Sequence, residues 1–315
     1  MSNAIPSRLG QKDGAGDADA LFLKVFGGEV LTAFEETNVA MSRHVVRSIS
    51  SGKSAQFPAT WKGTASYHTP GQELLGTTIN KNERIITIDD LLVADRFIAS
   101  IDEAKSHYDV RSIYSNDVGR ALAQTFDKNV LQVMLLAGQA SATVSGGNGG
   151  TTITDADAND ADTAGVDSLI GSIFSAARYL DDKDVPDYDR YAFIKPVNWY
   201  AMINASSKLI HGDYVTQNKG GLESGVIYRV AGMDLVKSNN VPTASVATGP
   251  AAYQGTFVNT AAIVVQKGAV GTVKLLDLAV EMGWDMRRQG TLVIGKYALG
   301  HGILRPECAV EIETA

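Results

Sequence analysis

Along the chain the hydrophobic positions change period several times, and each change marks an element. From Leu21 apolar residues recur at three-and-four spacing (Leu21/Val25, Phe22/Phe26/Val30, then Leu31 and Phe34), as on a helix face. Gly27-Gly28 interrupts the pattern, and glycine costs about 1 kcal/mol per residue in a helix interior, so a bend or a short helix is expected. From Arg43 the period shortens to two. Arg43, Val45, Arg47 and Ile49 alternate with His44, Val46 and Ser48, as in a strand. Ser54–Thr60 is a second extended stretch, which Pro58 confines to an edge or an end. Glu83–Asp89, with Ile85, Ile86 and Ile88, is a third. Together Lys53 to Asp89 read as a long two-stranded ribbon with little apolar mass, and such a ribbon is marginal alone in water.

The next pattern is helical. Asp109 is a good N-cap, and Val110, Ile113, Tyr114, Asp117, Val118, Ala121, Leu122, Thr125, Phe126, Val130, Val133, Met134 and Ala137 keep helical spacing up to Gly138, a plausible C-terminal stop. A helix of that span is roughly 40 Å long at about 1.5 Å per residue. Ser145–Gly150 reads as a flexible loop and a segment boundary. Beyond it a helix is expected over 166–180, a strand at Arg190–Lys195 and a short helix at Val197–Asn204. Gly220-Gly221 and Pro242–Pro250 read as loops. Strands are expected at Met233–Lys237, Ala262–Lys267, Thr272–Trp284, Thr291–Leu299 and Ala309–Glu313. The sum is an α+β protein with a mid-chain lobe inserted between a long helix and a C-terminal sheet.

At 315 residues the chain can bury a sizeable core as one large domain or two modest ones. Its net charge of −7 is local. Residues 145–190 hold ten acidic side chains and three basic ones, which leaves the rest neutral. An obligate nucleic-acid binder would show a basic excess. The single Cys308 excludes an intrachain disulfide and fits a reducing compartment or a fold held by packing alone. The first twenty residues lack an apolar export signal, and no apolar run is long enough to cross a bilayer, so a soluble protein without a cleaved signal is expected.

No catalytic constellation emerges. Gly146–Gly150 lacks the Gly-Lys-Ser/Thr of a phosphate loop, and the five histidines show no metal-ligand spacing. Asp155–Asn159 begins like a calcium loop, but Asp160 stands where glycine belongs and Val166 where glutamate belongs, so a solvated acidic loop is the better reading. No catalytic, cofactor or metal residue is assigned. The ribbon is more informative. Between Glu36 and Glu73 there is no acidic residue, while Arg43, Arg47, Lys53 and Lys62 are interleaved with Phe57, Trp61 and Tyr67. Arginine with aromatics suits nucleic acid and also protein interfaces. The ribbon is not expected to bury its own aromatics, which favours the interface.

Long blocks carry a family resemblance: Leu21–Trp61 (LFLKVFGGEVLTAFEETNVAMSRHVVRSISSGKSAQFPATW), Pro70–Leu74 (PGQEL), Ile85–Asp95 (IITIDDLLVAD), His107–Ser112 (HYDVRS), Ala269–Glu281 (AVGTVKLLDLAVE) and Lys296–Glu307 (KYALGHGILRPE). On these the chain resembles the major capsid proteins of short-tailed bacteriophages of the autographivirus (podovirus) type. The resemblance implies the tailed-phage major capsid fold: N-terminal arm 1–50, E-loop 51–90, peripheral (P) domain 91–138 and 269–315 with its spine helix at about 109–138, and axial (A) domain 139–268. It further implies a structural protein without an active site or cofactor. Copies would form hexamers and pentamers of an icosahedral shell around double-stranded DNA held by non-specific proximity, with no membrane. A scaffolding protein and a portal at one vertex would be partners, and assembly would take place in the host bacterial cytoplasm. Inter-subunit contacts are expected from Phe22, Phe26, Arg43, Arg47, Phe57, Trp61 and Tyr67. The alternative is an encapsulin-like cellular compartment shell. The acidic 145–190 stretch is expected to face outward or to line contacts around the capsomer axis.

Overall fold

The structure, a computed structural model, describes residues 38–63, 65–74, 76, 78–101, 110–205 and 229–314. The expectations for 21–34, Asp109 and Gly220-Gly221 lie outside them, as do Phe22 and Phe26. In chain order the elements are β1 (Val45–Ser48), β2 (Ser54–Thr60), β3 (Lys81–Thr87), β4 (Leu92–Ala99), α1 (Val110–Gln139), β5 (Thr151–Thr154), α2 (Thr163–Asp182), β6 (Arg190–Ile194), α3 (Pro196–Ala205), β7 (Arg229–Val230), β8 (Met233–Lys237), β9 (Thr260–Gln266), β10 (Val270–Asp285), β11 (Gly290–Ile303) and β12 (Ala309–Glu313). Among the described residues, one compact unit takes 89–126 and 274–299, and the other takes 39–88, 127–273 and 300–314.

The larger unit is built on a six-stranded sheet in the order β5-β12-β9-β6-β8-β7. At its centre, β9 is buried at every position, and it runs antiparallel to both β12 and β6. Its sequence TAAIVVQ shows no alternation because both faces are covered. Helix α2 packs on β12 and α3 through Val166, Leu169, Ile173, Ala176 and Leu180, which recur at three-and-four spacing. It starts at Asp162, whose carboxylate accepts the Gly165 N–H at 2.7 Å, and it ends before Asp184, which adopts φ 56°. The last part of α1 buries Val130, Leu131, Val133, Met134, Leu135 and Ala137. Gly138 does not stop this helix, which runs on to Gln139. The glycine is there for close approach: a Cβ would meet the Glu311 backbone N at 3.0 Å.

In the smaller unit β4 pairs antiparallel with the first part of β11, from Gly290 opposite Ala99 to Tyr297 opposite Leu92. Phe126 stacks on Tyr297 with ring centroids 6.1 Å apart. The β10–β11 turn is held by Asp285, which accepts the backbone N–H of Arg287 at 2.9 Å and pairs with the Arg288 guanidinium at 2.7 Å. Strands β10 and β11 run through both units, within a four-stranded sheet ordered β1-β10-β11-β4. Strands β4, β5 and β7 are additions to the sequence-based elements.

Candidate functional site

The ribbon is the element with the least core of its own. Strands β2 and β3 pair from Ser54 opposite Thr87 to Thr60 opposite Lys81, with Pro58 facing Glu83 in an isolated two-stranded sheet. Its base is nonetheless well anchored. Ala55 and Ile86 are buried with Val273 and Leu304, and Val45, Ile49, Phe57 and Ile88 pack around them. Further out, the ribbon rests on residues 143–147. Asn82 donates its side-chain amide to the Thr143 carbonyl at 2.6 Å, Arg84 donates to the Thr143 hydroxyl at 3.2 Å, and Asn80 donates to the Ser145 carbonyl at 2.8 Å. The Trp61 ring lies over Gly147, where a Cβ would approach within 3.3 Å. Lys62 forms an exposed ion pair with Asp184.

Two expectations need correction here. The ribbon does bury part of its aromatic surface on its own chain, because Phe57 and Trp61 are half-buried and only Tyr67 of the three stands clear. The run Ser145–Gly150 is also a packed turn, not a flexible loop. The Gly147 N–H donates to the Val144 carbonyl at 2.9 Å and the Gly150 N–H to the Ala140 carbonyl at 2.8 Å. A Cβ at Gly150 would fall 2.2 Å from the carbonyl oxygens of Ala137 and Gly138. The glycines allow this seat to form beneath the ribbon.

The remaining candidates behave differently from one another. Arg43 is half-buried, donates to the Val39 carbonyl, and lies over the Tyr191 ring at 5.5 Å. Arg47 is exposed, donates to the Gln56 carbonyl at 3.1 Å and covers the Phe57 ring at 5.6 Å. At the tip, Tyr67 is wholly exposed, and Leu74 and Ile79 are 79% and 54% exposed. Leu74 and Ile79 were not singled out from the sequence. Their signal was available as apolar residues in an otherwise polar excursion. A cavity of about 410 Å³ opens between the ribbon base and its seat, bordered by Phe57, Trp61, Arg84, Val144, Leu304 and Arg305.

The acidic stretch carries more structure than a solvated loop would. Nine of its ten acidic residues are exposed, and the half-buried Asp155 accepts hydrogen bonds from Ser168 and Ser172 at 2.7 and 2.6 Å. Burial would raise the Asp155 pKa, but these hydroxyls hold it below the ordinary carboxylate value. Asp181 pairs at 2.7 Å with Arg190, a nearly buried guanidinium. Burial, with Glu307 adding to it, pushes the Cys308 thiol up to about 11, and desolvation with the neighbouring His44 pushes His301 down to about 3. Among the described residues no helix is long and apolar enough to cross a membrane.

Comparison with known proteins gives this arrangement a context. A family model described as Gp10A-like major capsid protein matches residues 56–313. The chain is 37% identical over 322 residues to the major capsid protein of Escherichia phage T7, covering 94% of this chain and 92% of that protein. It is 36% identical to the major capsid protein of Enterobacteria phage T3, covering 97% and 94%. Among solved structures, a chain of the cyanophage P-SCSP1u capsid superposes with a TM-score of 0.81 at 39% identity, covering 100% of this chain and 99% of that one. A chain of the mature capsid of bacteriophage PhiM1, 20% identical with a TM-score of 0.76 and covering 98% and 97%, shares the fold. These relatives favour a phage shell over a cellular compartment.

Proposed function

The chain belongs to the Gp10A-like major capsid protein family, and from that membership we propose how it builds its shell. It is a structural protein of a phage virion with the tailed-phage capsid fold, it self-assembles into the shell, and it is not an enzyme. We assign residues 1–50 to the N-terminal arm, 51–90 to the E-loop, 91–138 and 269–315 to the P-domain, and 139–268 to the A-domain. Hexamers and pentamers of this subunit close an icosahedral shell around double-stranded DNA. A scaffolding protein guides assembly in the host bacterial cytoplasm, and a portal occupies one vertex.

One observation carries the contact scheme. The ribbon base is seated on its own chain, but its tip is not, since Tyr67, Leu74 and Ile79 are exposed. Exposed apolar side chains on a projecting ribbon suit a neighbouring copy, where their burial is favourable. The tip lies over the adjacent subunit with Tyr67 as its leading anchor. Phe57 and Trp61 stiffen the base, and the exposed Arg47 is available to a neighbour's carboxylate. Phe22, Phe26 and Arg43 complete the contact set around the arm. The acidic stretch faces outward or lines contacts around the capsomer axis, a reading supported by the exposure of nine of its ten acidic residues.

Hydrogen exchange on free subunits and on shells co-assembled with a scaffolding protein tests the scheme. Residues 65–79 are expected to gain protection on assembly. Equal exchange in both states would refute the contact.

A further inference from the structure

The segment Val39–His44, which leads into β1, is held by buried polar groups from distant parts of the chain. Asp127 of α1, 1% exposed, accepts the backbone N–H of Val39 at 3.0 Å and of Ala40 at 3.1 Å. His44, 2% exposed, bridges this segment to the sheet. Its Nδ1 lies 2.7 Å from the Ala40 carbonyl oxygen and its Nε2 lies 2.6 Å from Thr272 Oγ1 on β10. That hydroxyl is in turn 2.7 Å from Nδ1 of His301 on β11, a ring also 2% exposed.

The partners dictate the proton positions. A carbonyl only accepts, so His44 Nδ1 carries the hydrogen. Nε2 of the neutral ring is then an acceptor, and Thr272 donates its one hydroxyl proton there. Thr272 must accept from His301 Nδ1–H. With both rings neutral the run has a single direction. A proton added at His44 Nε2 is taken up by reversal: Thr272 accepts from His44 and donates to His301 Nδ1, whose hydrogen moves to Nε2. A proton on each ring faces Thr272 with two N–H donors, so its own proton must turn away, and both charges then sit on rings 2% exposed.

We propose that the His44–Thr272–His301 relay is an acid-sensitive latch on the root of the N-terminal arm. Neutral, it ties residues 39–44 to β10 and β11. Protonated on both rings, it releases them. The charged and titratable groups around it are Asp127 from α1, Arg43 on the same segment with Tyr191 of β6 beneath it, and Tyr253, whose hydroxyl accepts the backbone N–H of His301 at 3.2 Å and whose ring centroid lies 5.6 Å from the imidazole.

The sign follows from linkage. A free histidine titrates near 6.5, and in the closed latch His301 is held down at about 3, chiefly by desolvation. The released state therefore binds more protons. The latch contributes fully above about pH 6.5 and weakens as pH falls from there towards 3. The limit is about a tenfold rise in opening per pH unit for one histidine.

Hydrogen exchange on assembled shells of the full chain, corrected for intrinsic rates, reads this in peptides spanning 38–48 between pH 7.5 and 5. Opening is expected to rise up to about tenfold per pH unit below 6.5 in wild type. In the double variant His44→Asn/His301→Asn it is expected to stay flat, because asparagine keeps both Nδ-side donors and does not titrate. Should that variant fail to assemble, Thr272→Val decides. It severs the relay, so high opening already at pH 7.5 with a weak pH response is expected. A wild-type slope no steeper than that of a control peptide in β9 would overturn the proposal. So would equal slopes in wild type and the double variant, or Thr272→Val behaving as wild type at every pH.

Discussion

Asp127 and Asp184 show how little a residue's type reveals about its cost. Both are aspartates with a partner elsewhere in the chain. Asp127 is buried and serves two backbone N–H groups, whereas Asp184 is 75% exposed at its side chain and pairs with a 55% exposed Lys62. Removing an acceptor that leaves buried donors unsatisfied costs about 1–3 kcal/mol, while exposed ion pairs contribute about 0–1 kcal/mol. Asp127→Ala is therefore expected to lower subunit stability by about 2 kcal/mol or more, and Asp184→Asn, which removes the charge and tolerates the positive φ there, by under about 1 kcal/mol, read as urea midpoints at unchanged slope. Equal losses would show that the carboxylate is not what holds residues 39 and 40. The sequence showed Asp127 as one polar position on a helical pattern. Its burial depends on a segment 87 positions away, and no local pattern encodes that. Gly138 and Thr272 were opaque for the same reason, since each acts through a distant strand.

Elements were legible where their own residues decide them. The alternation before Ile49, the β-branched runs of β3 and β9 and the helical stripe of α2 all fold as their periods indicate. Ser145–Gly150 was misread because glycine content signals conformational freedom and close packing alike. Here the close packing creates the ribbon's seat, which leads to a specific expectation. In Gly147→Val the new Cβ would stand 2.9 Å from the Val144 carbonyl oxygen and 3.3 Å from the Trp61 ring. Neither the turn nor the ring can keep its place. Exchange protection in β2 and β3 should fall while α2 keeps its own, because α2 is held by contacts with β12 and α3. Unchanged protection across 54–60 and 81–87 would mean that the Ala55/Ile86 cluster alone fixes the ribbon.

At the scale of the whole molecule, stability and assembly draw on different surfaces. Tyr67 and Leu74 bury almost nothing in the subunit, so truncating them should leave subunit unfolding within about 0.5 kcal/mol of wild type. In the shell each side chain that becomes fully buried is worth roughly 1.5–3 kcal/mol, and every copy loses that amount. Tyr67→Ala/Leu74→Ser is therefore expected to raise the concentration needed for shell formation by at least about tenfold, the equivalent of 1.4 kcal/mol per contact, with an unaltered urea midpoint. Sedimentation of assembly reactions across a dilution series measures the first quantity and urea unfolding the second. If both change together, the tip stabilises its own subunit and the separation fails. Assembly at the wild-type concentration would place the essential contact elsewhere, for instance at Trp284 and Met286 on the β10–β11 turn, which are also exposed. Basic and aromatic residues between Glu36 and Glu73 pointed to this ribbon from sequence alone. Its division into a seated base and an unseated tip was not visible there, because that division is set by residues 143–147, some 60 positions further along the chain.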